Sequence, residues 1–179
     1  MEFTTGFAGC EQALVDLFAA AFATSEGAEE GVLIAGLVHD LLSSTPEADL
    51  WVFRAEKDGQ LIGAALFTRL TYAEDPRHVV LLSPMVVATA VQRQGVGRAL
   101  IWHALHALRG CGAEVALTYG DPDYYRRSGF APIGEDQARA PRPLSYPHGW
   151  VGQSLTGGVM HAIAGTPSCV PALDRADIW

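Results

Sequence analysis

The chain has 179 residues, 49% of them hydrophobic and 18% charged. That is long enough for one domain with a real core and too apolar for intrinsic disorder. The net charge of −8 comes with no basic stripe, which argues against nucleic acid as a partner. Cys10, Cys111 and Cys169 are widely spaced and form no Cys-x-x-Cys, which argues against a disulfide framework and a zinc ribbon and fits reduced thiols in the cytoplasm.

Met1 to Thr5 lacks the basic-then-apolar order of a secretory signal, and every apolar run breaks before it reaches membrane-spanning length. Residues 11–23 read as a helix, with Leu14, Val15, Leu17, Phe18 and Phe22 on one broad face. A second helix is expected from about Glu29 to Leu42, spaced by Val32, Leu33, Leu37, Leu41 and Leu42. His39 in this helix reads as a solvated or satisfied residue rather than a ligand.

A strand follows at Leu50–Ala55, and Lys57-Asp58-Gly59 is a hairpin signal leading to a strand from Gln60 to Tyr72. Ala73 to Arg77 is a turn. The run from His78 to Val87 is nearly all apolar, as expected of a strand buried on both faces, and Pro84 marks a bulge or local opening.

The next stretch organises the chain. Gln92-Arg93-Gln94-Gly95-Val96-Gly97-Arg98-Ala99 lies between that strand and a helix expected from Gly95 to Leu108, whose buried face is Val96, Leu100, Ala104, Leu105 and Leu108. A helix start leaves backbone N–H groups without partners and carries partial positive charge. Glycines let a ligand approach the backbone, so the arrangement suits phosphate or pyrophosphate. No Lys-Ser or Lys-Thr follows the glycines, so this is not a Walker A loop, and Leu100 stands where a dinucleotide fingerprint needs its third Gly or Ala. The glycine pair alone is equally the mark of an ordinary tight turn. His103 and His106 share a helix face, but no third ligand accompanies them and no metal is expected.

Glu114–Tyr119 reads as a strand parallel to 78–87, because a helical crossover joins them. Asp121 and Pro122 then open a short helix as cap and first residue, and Gly129 stops it. Residues 131–149 are rich in Pro, Arg and Gly, and a last strand is expected near Val159–Ile163.

The pattern Gln/Arg-x-x-Gly-x-Gly/Ala at Gln92–Gly97, followed about thirty residues on by Tyr125-x-x-x-Gly129-Phe130, resembles the GNAT superfamily of N-acetyltransferases. The Gly-Asp-Pro-x-Tyr-Tyr wording is most like its YhbS-like branch. The resemblance covers roughly residues 10–132. It implies an α/β (α+β) fold with a mixed, mostly antiparallel sheet, two splayed parallel strands and flanking helices. We expect a single domain over 1–179, with an irregular extension from about 131.

The resemblance further implies acetyl-CoA as acyl donor. Backbone of Val86 and Val87 would pair with its pantetheine arm, with an amide there facing the thioester oxygen, and the amides from Gln92 to Ala99 would hold the pyrophosphate. Tyr125 matches the family's proton donor to the thiolate, and Tyr124 reads as packing. For the base, Glu74, Asp75, His78 and Ser83 lie near the central strand, and no spacing selects among them. The acceptor expected is a primary amine of a small molecule or peptide, with no nucleic acid and no membrane as partner. The tail either covers the acceptor site or forms a homodimer interface. The rival reading is a non-catalytic CoA-binding sensor or interaction module on the same fold.

Overall fold

The computed structural model describes all of residues 1–179. Four helices and eight strands follow the chain: β1 (Glu2–Thr5), α1 (Glu11–Ser25), α2 (Ala28–Ser44), β2 (Leu50–Lys57), β3 (Gln60–Tyr72), β4 (Val79–Val87), α3 (Val96–Gly110), β5 (Val115–Tyr119), α4 (Pro122–Arg126), β6 (Ala131–Pro132), β7 (Trp150–Ser154) and β8 (Pro167–Ser168). The sheet order is β1-β2-β3-β4-β5-β7-β6, with β8 paired to β3. The β4–β5 pair is parallel, whereas β1–β2, β3–β8, β5–β7 and β6–β7 are antiparallel. No helix is long and apolar enough to cross a membrane.

The chain forms two compact units, Met1–Phe67 with Pro84–Ala104, and Thr68–Ser83 with Leu105–Trp179. In the first, Leu14 and Phe18 of α1 and Leu37, Val38 and Leu41 of α2 are buried, as their helical spacing requires. Val32 was expected on the apolar face of α2 but is 75% exposed, and Ile34 is buried instead. The helix turns Ile34, Val38 and Leu41 to one side and leaves Val32 outside that stripe. His39 is exposed, as expected.

Helices α1 and α2 meet at Gly31, where an added Cβ would lie 2.7 Å from Ala23 Cβ and 2.8 Å from the Ala19 carbonyl oxygen. Alanine gains about 1 kcal/mol over glycine inside an open helix. Here overpacking costs about 1–3 kcal/mol and outweighs that gain. Gly31→Ala is therefore expected to lower the urea midpoint, and a raised midpoint would show that the helices separate freely.

The β2–β3 hairpin turns on Asp58 and Gly59, at φ +52° and +75°. Two successive positive φ values suit the twist of adjoining strands, which explains why a short Asp-Gly turn sets the register. Residues Ile62 to Phe67 of β3 are all buried.

In the second unit, β4 and β5 pair from Val79↔Val115 to Leu82↔Thr118. Strand β7 covers the other edge of β5, from Val115↔Ser154 to Tyr119↔Trp150. The strand expected at Val159–Ile163 is not formed; the chain has no ladder pairing there, and Val159 is 78% exposed. The pairing strand is instead Trp150–Ser154. Its Gly152 has low strand propensity but allows close approach, since a Cβ there would lie 2.7 Å from Leu117 Cδ2 and 3.0 Å from Met160 Sδ.

The segment after residue 131 is bound into this unit. The Tyr72 hydroxyl donates to the Arg139 carbonyl at 2.6 Å, and the Trp150 indole donates to Ala138 at 2.8 Å. Arg77 donates to the carbonyls of His161 (3.0 Å) and Ala162 (2.5 Å) while gripping Asp75 through Nε (2.8 Å) and Nη2 (2.6 Å). Those bonds from Arg77 hold the Asp75 carboxyl well below the usual carboxylate range.

With its folded-state value depressed, Asp75 contributes stability in full above its unfolded value of about 3.9 and loses it as the pH falls through the folded value. Asp75→Asn is expected to cost about 1.5–3 kcal/mol at pH 7, the range for hydrogen bonds to a charged group. The gap from the unsubstituted protein should narrow at pH 3. Denaturant midpoints at the two pH values check this, and a gap independent of pH would assign the loss to packing.

Candidate functional site

The chain leaves β4 at Val87, and the Ala88 N–H donates to the Ile62 carbonyl at 2.9 Å. A short helical turn over Thr89–Val91 follows. The Gln92 side-chain amide reaches back to the Val87 carbonyl at 3.1 Å, so it braces the loop on the strand end, and Gln94 donates to Ala90 at 3.4 Å. Arg93 takes φ +60° and Gly95 φ +85°. A non-glycine residue there costs about 1–2 kcal/mol, and such positions gather at binding sites.

Helix α3 begins at Val96, and its first α-helical bond runs from the Ala99 N–H to Gly95 O at 3.0 Å. The amides of Val96, Gly97 and Arg98 precede that bond and donate to no other group of the chain. Fifteen residues of helix stand behind them, so the partial positive charge at this end is fully developed. Arg93 and Arg98 are exposed, and neither is paired with a carboxylate. Three free donors with two unpaired guanidinium groups are an arrangement able to accept a multiply charged oxyanion. Val86 is buried and Val87 half-buried on β4. Gly63 is close beneath, since a Cβ there would lie 3.1 Å from Val86 O.

Tyr125 belongs to the second unit. Asp121 caps α4, accepting the Asp123 N–H at 2.9 Å, and Pro122 supplies the first helical residue. This short turn points Tyr125 inward to 9% exposure, between Phe130 (5.7 Å) and the edge of Tyr124 (5.1 Å). Tyr124 stays 42% exposed. Burial pushes the Tyr125 hydroxyl up to about 12, against a hydrogen bond with Thr118 that pulls the other way. Thr118 is wholly buried and donates to the Leu82 carbonyl at 2.8 Å. The phenol is therefore a protonated donor at neutral pH.

Thr118 was not singled out from sequence, and Gly120 entered only as part of the Gly-Asp-Pro wording, without its contact with Tyr125. The first carried a signal, an aliphatic hydroxyl directly after the apolar run Val115-Ala116-Leu117. The contact of the second shows only in three dimensions, because a Cβ at Gly120 would lie 2.9 Å from Tyr125 Cε2.

Among the candidate bases, Asp75 is locked onto Arg77 and held acidic, so it is a poor proton acceptor. Glu74 is exposed in the turn, and the backbone N–H of His78 donates to the Glu114 carboxylate at 2.9 Å. His103 is not a ligand in waiting: its ring stacks on Phe3 at 5.2 Å and meets the edge of Phe53 at 6.1 Å. No group of three or more His, Cys, Asp or Glu side chains is placed to hold a metal ion.

Residues 12–130 match the model of the Acetyltransferase (GNAT) family. The chain is 34% identical over 137 residues to the uncharacterized N-acetyltransferase YjhQ of Escherichia coli K12, covering 74% of each chain. The crystal structure of the GNAT family N-acetyltransferase YhbS from Escherichia coli in complex with CoA superposes with a TM-score of 0.83 at 22% identity, over 98% of this chain and 92% of that one. A GNAT family acetyltransferase from Brucella melitensis in complex with acetyl-CoA gives 0.69 at 23% identity, over 97% of both chains. The family match spans the strand–loop–helix at Val79–Gly110, the parallel β4–β5 pair and the Tyr125 turn, and the chain belongs to the GNAT family of acetyltransferases.

Proposed function

We propose that this chain transfers an acetyl group from acetyl-CoA to a primary amine, by direct attack within a ternary complex. The observation that carries the reading is the start of α3, where the unbonded amides of Val96, Gly97 and Arg98 are flanked by the unpaired Arg93 and Arg98 side chains. That set of donors fits the pyrophosphate of CoA. The bound ligands of the YhbS and Brucella melitensis proteins are CoA and acetyl-CoA, which supports the same assignment here.

In this reading the residues from Gln92 to Ala99 hold the pyrophosphate, and the backbone of Val86 and Val87 pairs with the pantetheine arm as an added strand would. An amide at Val86 faces the thioester oxygen as it becomes an oxyanion. The neutral amine attacks the carbonyl carbon, the C–S bond breaks, and the amine's proton passes to solvent. Tyr125 donates to the sulfur as thiolate charge develops. The net charge of −8 favours approach of a cationic amine, which must shed its proton before attack.

Calorimetric titration with acetyl-CoA, then assay of free thiol over a panel of small amines and lysine-bearing peptides, tests the reading. Binding with amine-dependent thiol release is the expected result. Binding without turnover on any amine would leave a CoA-binding module. Absence of binding would sink both.

A further inference from the structure

The segment that follows Phe130 ends in an aromatic assembly at the foot of β5. Trp179 is 6% exposed, its indole donates to the Leu173 carbonyl at 2.8 Å, and its ring meets the edge of Trp150 at 6.0 Å. Its other contact is Tyr119, the last residue of β5, stacked at 6.2 Å with the planes 20° apart. Tyr119 in turn holds a turn of the extension: its hydroxyl accepts the Tyr146 N–H at 2.6 Å and lies 3.0 Å from Ser145 Oγ. That turn closes with the Gly149 N–H on Tyr146 O at 2.8 Å. Gly149 O then accepts the Gly120 N–H at 2.9 Å.

Packing across this joint leaves little slack. A Cβ at Gly149 would lie 3.0 Å from Gly120 O and 3.2 Å from the Tyr119 ring, and one at Gly120 would lie 2.9 Å from the Tyr125 ring. Gly120 is thus held from one side by the turn at Gly149 and lies against Tyr125 on the other. Motion of the Tyr119 side chain reaches Tyr125 through two short links of backbone, with no flexible side chain between them to absorb it. Interiors packed this closely pass displacement on rather than damping it.

We propose that Trp179 is a positioning residue for Tyr125, acting through Tyr119 and the Tyr146–Gly149 turn to fix the Gly120 backbone against the phenol ring. The extension is then part of the apparatus that aims the proton donor. The catalytic consequence rests on the acetyl-transfer reading above; the structural coupling does not.

The test joins two readouts. Labelling with 3-fluorotyrosine gives a fluorine resonance for Tyr125, assigned by its loss in Tyr125→Phe. Trp179→Ala is expected to shift or broaden that resonance while the Tyr72 resonance holds still. It should lower kcat roughly 10- to 100-fold, the effect of a small misplacement, with KM for acetyl-CoA within about twofold. Trp179→Phe should restore most of both. In the Tyr125→Phe background, Trp179→Ala should cost no further activity, because the group it positions is already gone.

An unmoved Tyr125 resonance overturns the proposal, as does an equal kcat loss in the Tyr125→Phe background, which would mark a general structural defect. If Trp179→Ala does not fold, Tyr119→Phe serves, since it keeps the stacking ring and removes only the hydroxyl's bonds. It must move the Tyr125 resonance or the proposal fails. A chain that transfers no acetyl group refutes the acetyl-transfer reading alone, and the fluorine spectrum then decides the coupling.

Discussion

Tyr125→Phe is expected to reduce kcat by about 100-fold, leave KM for acetyl-CoA within about twofold, and leave the fold intact. The size follows from how well a phenol matches a departing thiolate. Positioned acids contribute about 10²- to 10⁴-fold. The Tyr125 hydroxyl is pushed up to about 12 by burial, whereas a thiol ordinarily titrates near 8.5, so full transfer of its proton is uphill by roughly three to four units, or about 5 kcal/mol. Burial of a thiolate raises its own value in the same way and narrows that gap. What Tyr125 supplies is then chiefly a short hydrogen bond to sulfur as charge develops, which places the effect at the lower end of the range.

The substitution removes one oxygen from a ring packed between Phe130 and Tyr124, so it leaves no large cavity. It does remove the hydroxyl's bond with Thr118, whose own donation to Leu82 remains. Tyr124→Phe should act at the unsubstituted rate, because Tyr124 is 42% exposed. Since burial keeps Tyr125 protonated at every working pH, any fall in rate up to pH 9 has another source, and its limb should persist unchanged in Tyr125→Phe. A kcat within threefold of the unsubstituted enzyme would remove Tyr125 from the reaction and leave it a packed aromatic.

The parts of the fold that could be read from sequence are those set by local chemistry. The β2–β3 hairpin is placed by two residues able to take positive φ, and α4 by a cap, a proline and a stop, so those boundaries were legible within a residue or two. The buried stripe of α3 was legible too: Val96, Leu100, Ala104, Leu105 and Leu108 repeat at helical spacing, and all are buried.

Strand β7 was not legible, because its reason for existing is tertiary. Trp-Val-Gly-Gln-Ser has weak strand propensity, and Gly152 is there for the closeness of Leu117 and Met160. The more apolar Val159–Ile163 attracted the assignment, although Val159 finds no partner surface. β1 was passed over since four half-polar residues at a sheet edge carry no period to detect. Around Tyr125 the ring itself carried a motif, whereas its surroundings at Thr118 and Gly120 depend on how β5, α4 and the extension pack.

Gly95→Asp is expected to weaken acetyl-CoA binding by 10- to 100-fold at low salt, at a stability cost of about 1–2 kcal/mol that Gly95→Asn shares. A Cβ at Gly95 meets nothing within 4 Å and the residue is exposed, so the substitution creates no clash. Its φ of +85° is a position that Asp tolerates better than most residues, at a modest cost. Gly97 is buried, so a bulky replacement there would confuse a lost site with a lost core.

The carboxylate placed at residue 95 sits beside the amides of Val96, Gly97 and Arg98, where it competes for the helix N-terminus and repels the pyrophosphate. Two like charges about 4 Å apart at an effective dielectric of 20 repel by about 4 kcal/mol, and exposure to solvent reduces this to about 1.5–3 kcal/mol. Gly95→Asn has nearly the same shape without the charge, so it should bind within a few-fold of the unsubstituted protein. Added salt should narrow the difference between the two variants through screening. S-acetylpantetheine, which lacks the pyrophosphate, should not distinguish Asp from Asn at all. Equal calorimetric affinities of the Asp and Asn variants for acetyl-CoA would move the pyrophosphate away from α3. A charge-specific loss for acetyl-CoA alone would establish that helix start as the anion site.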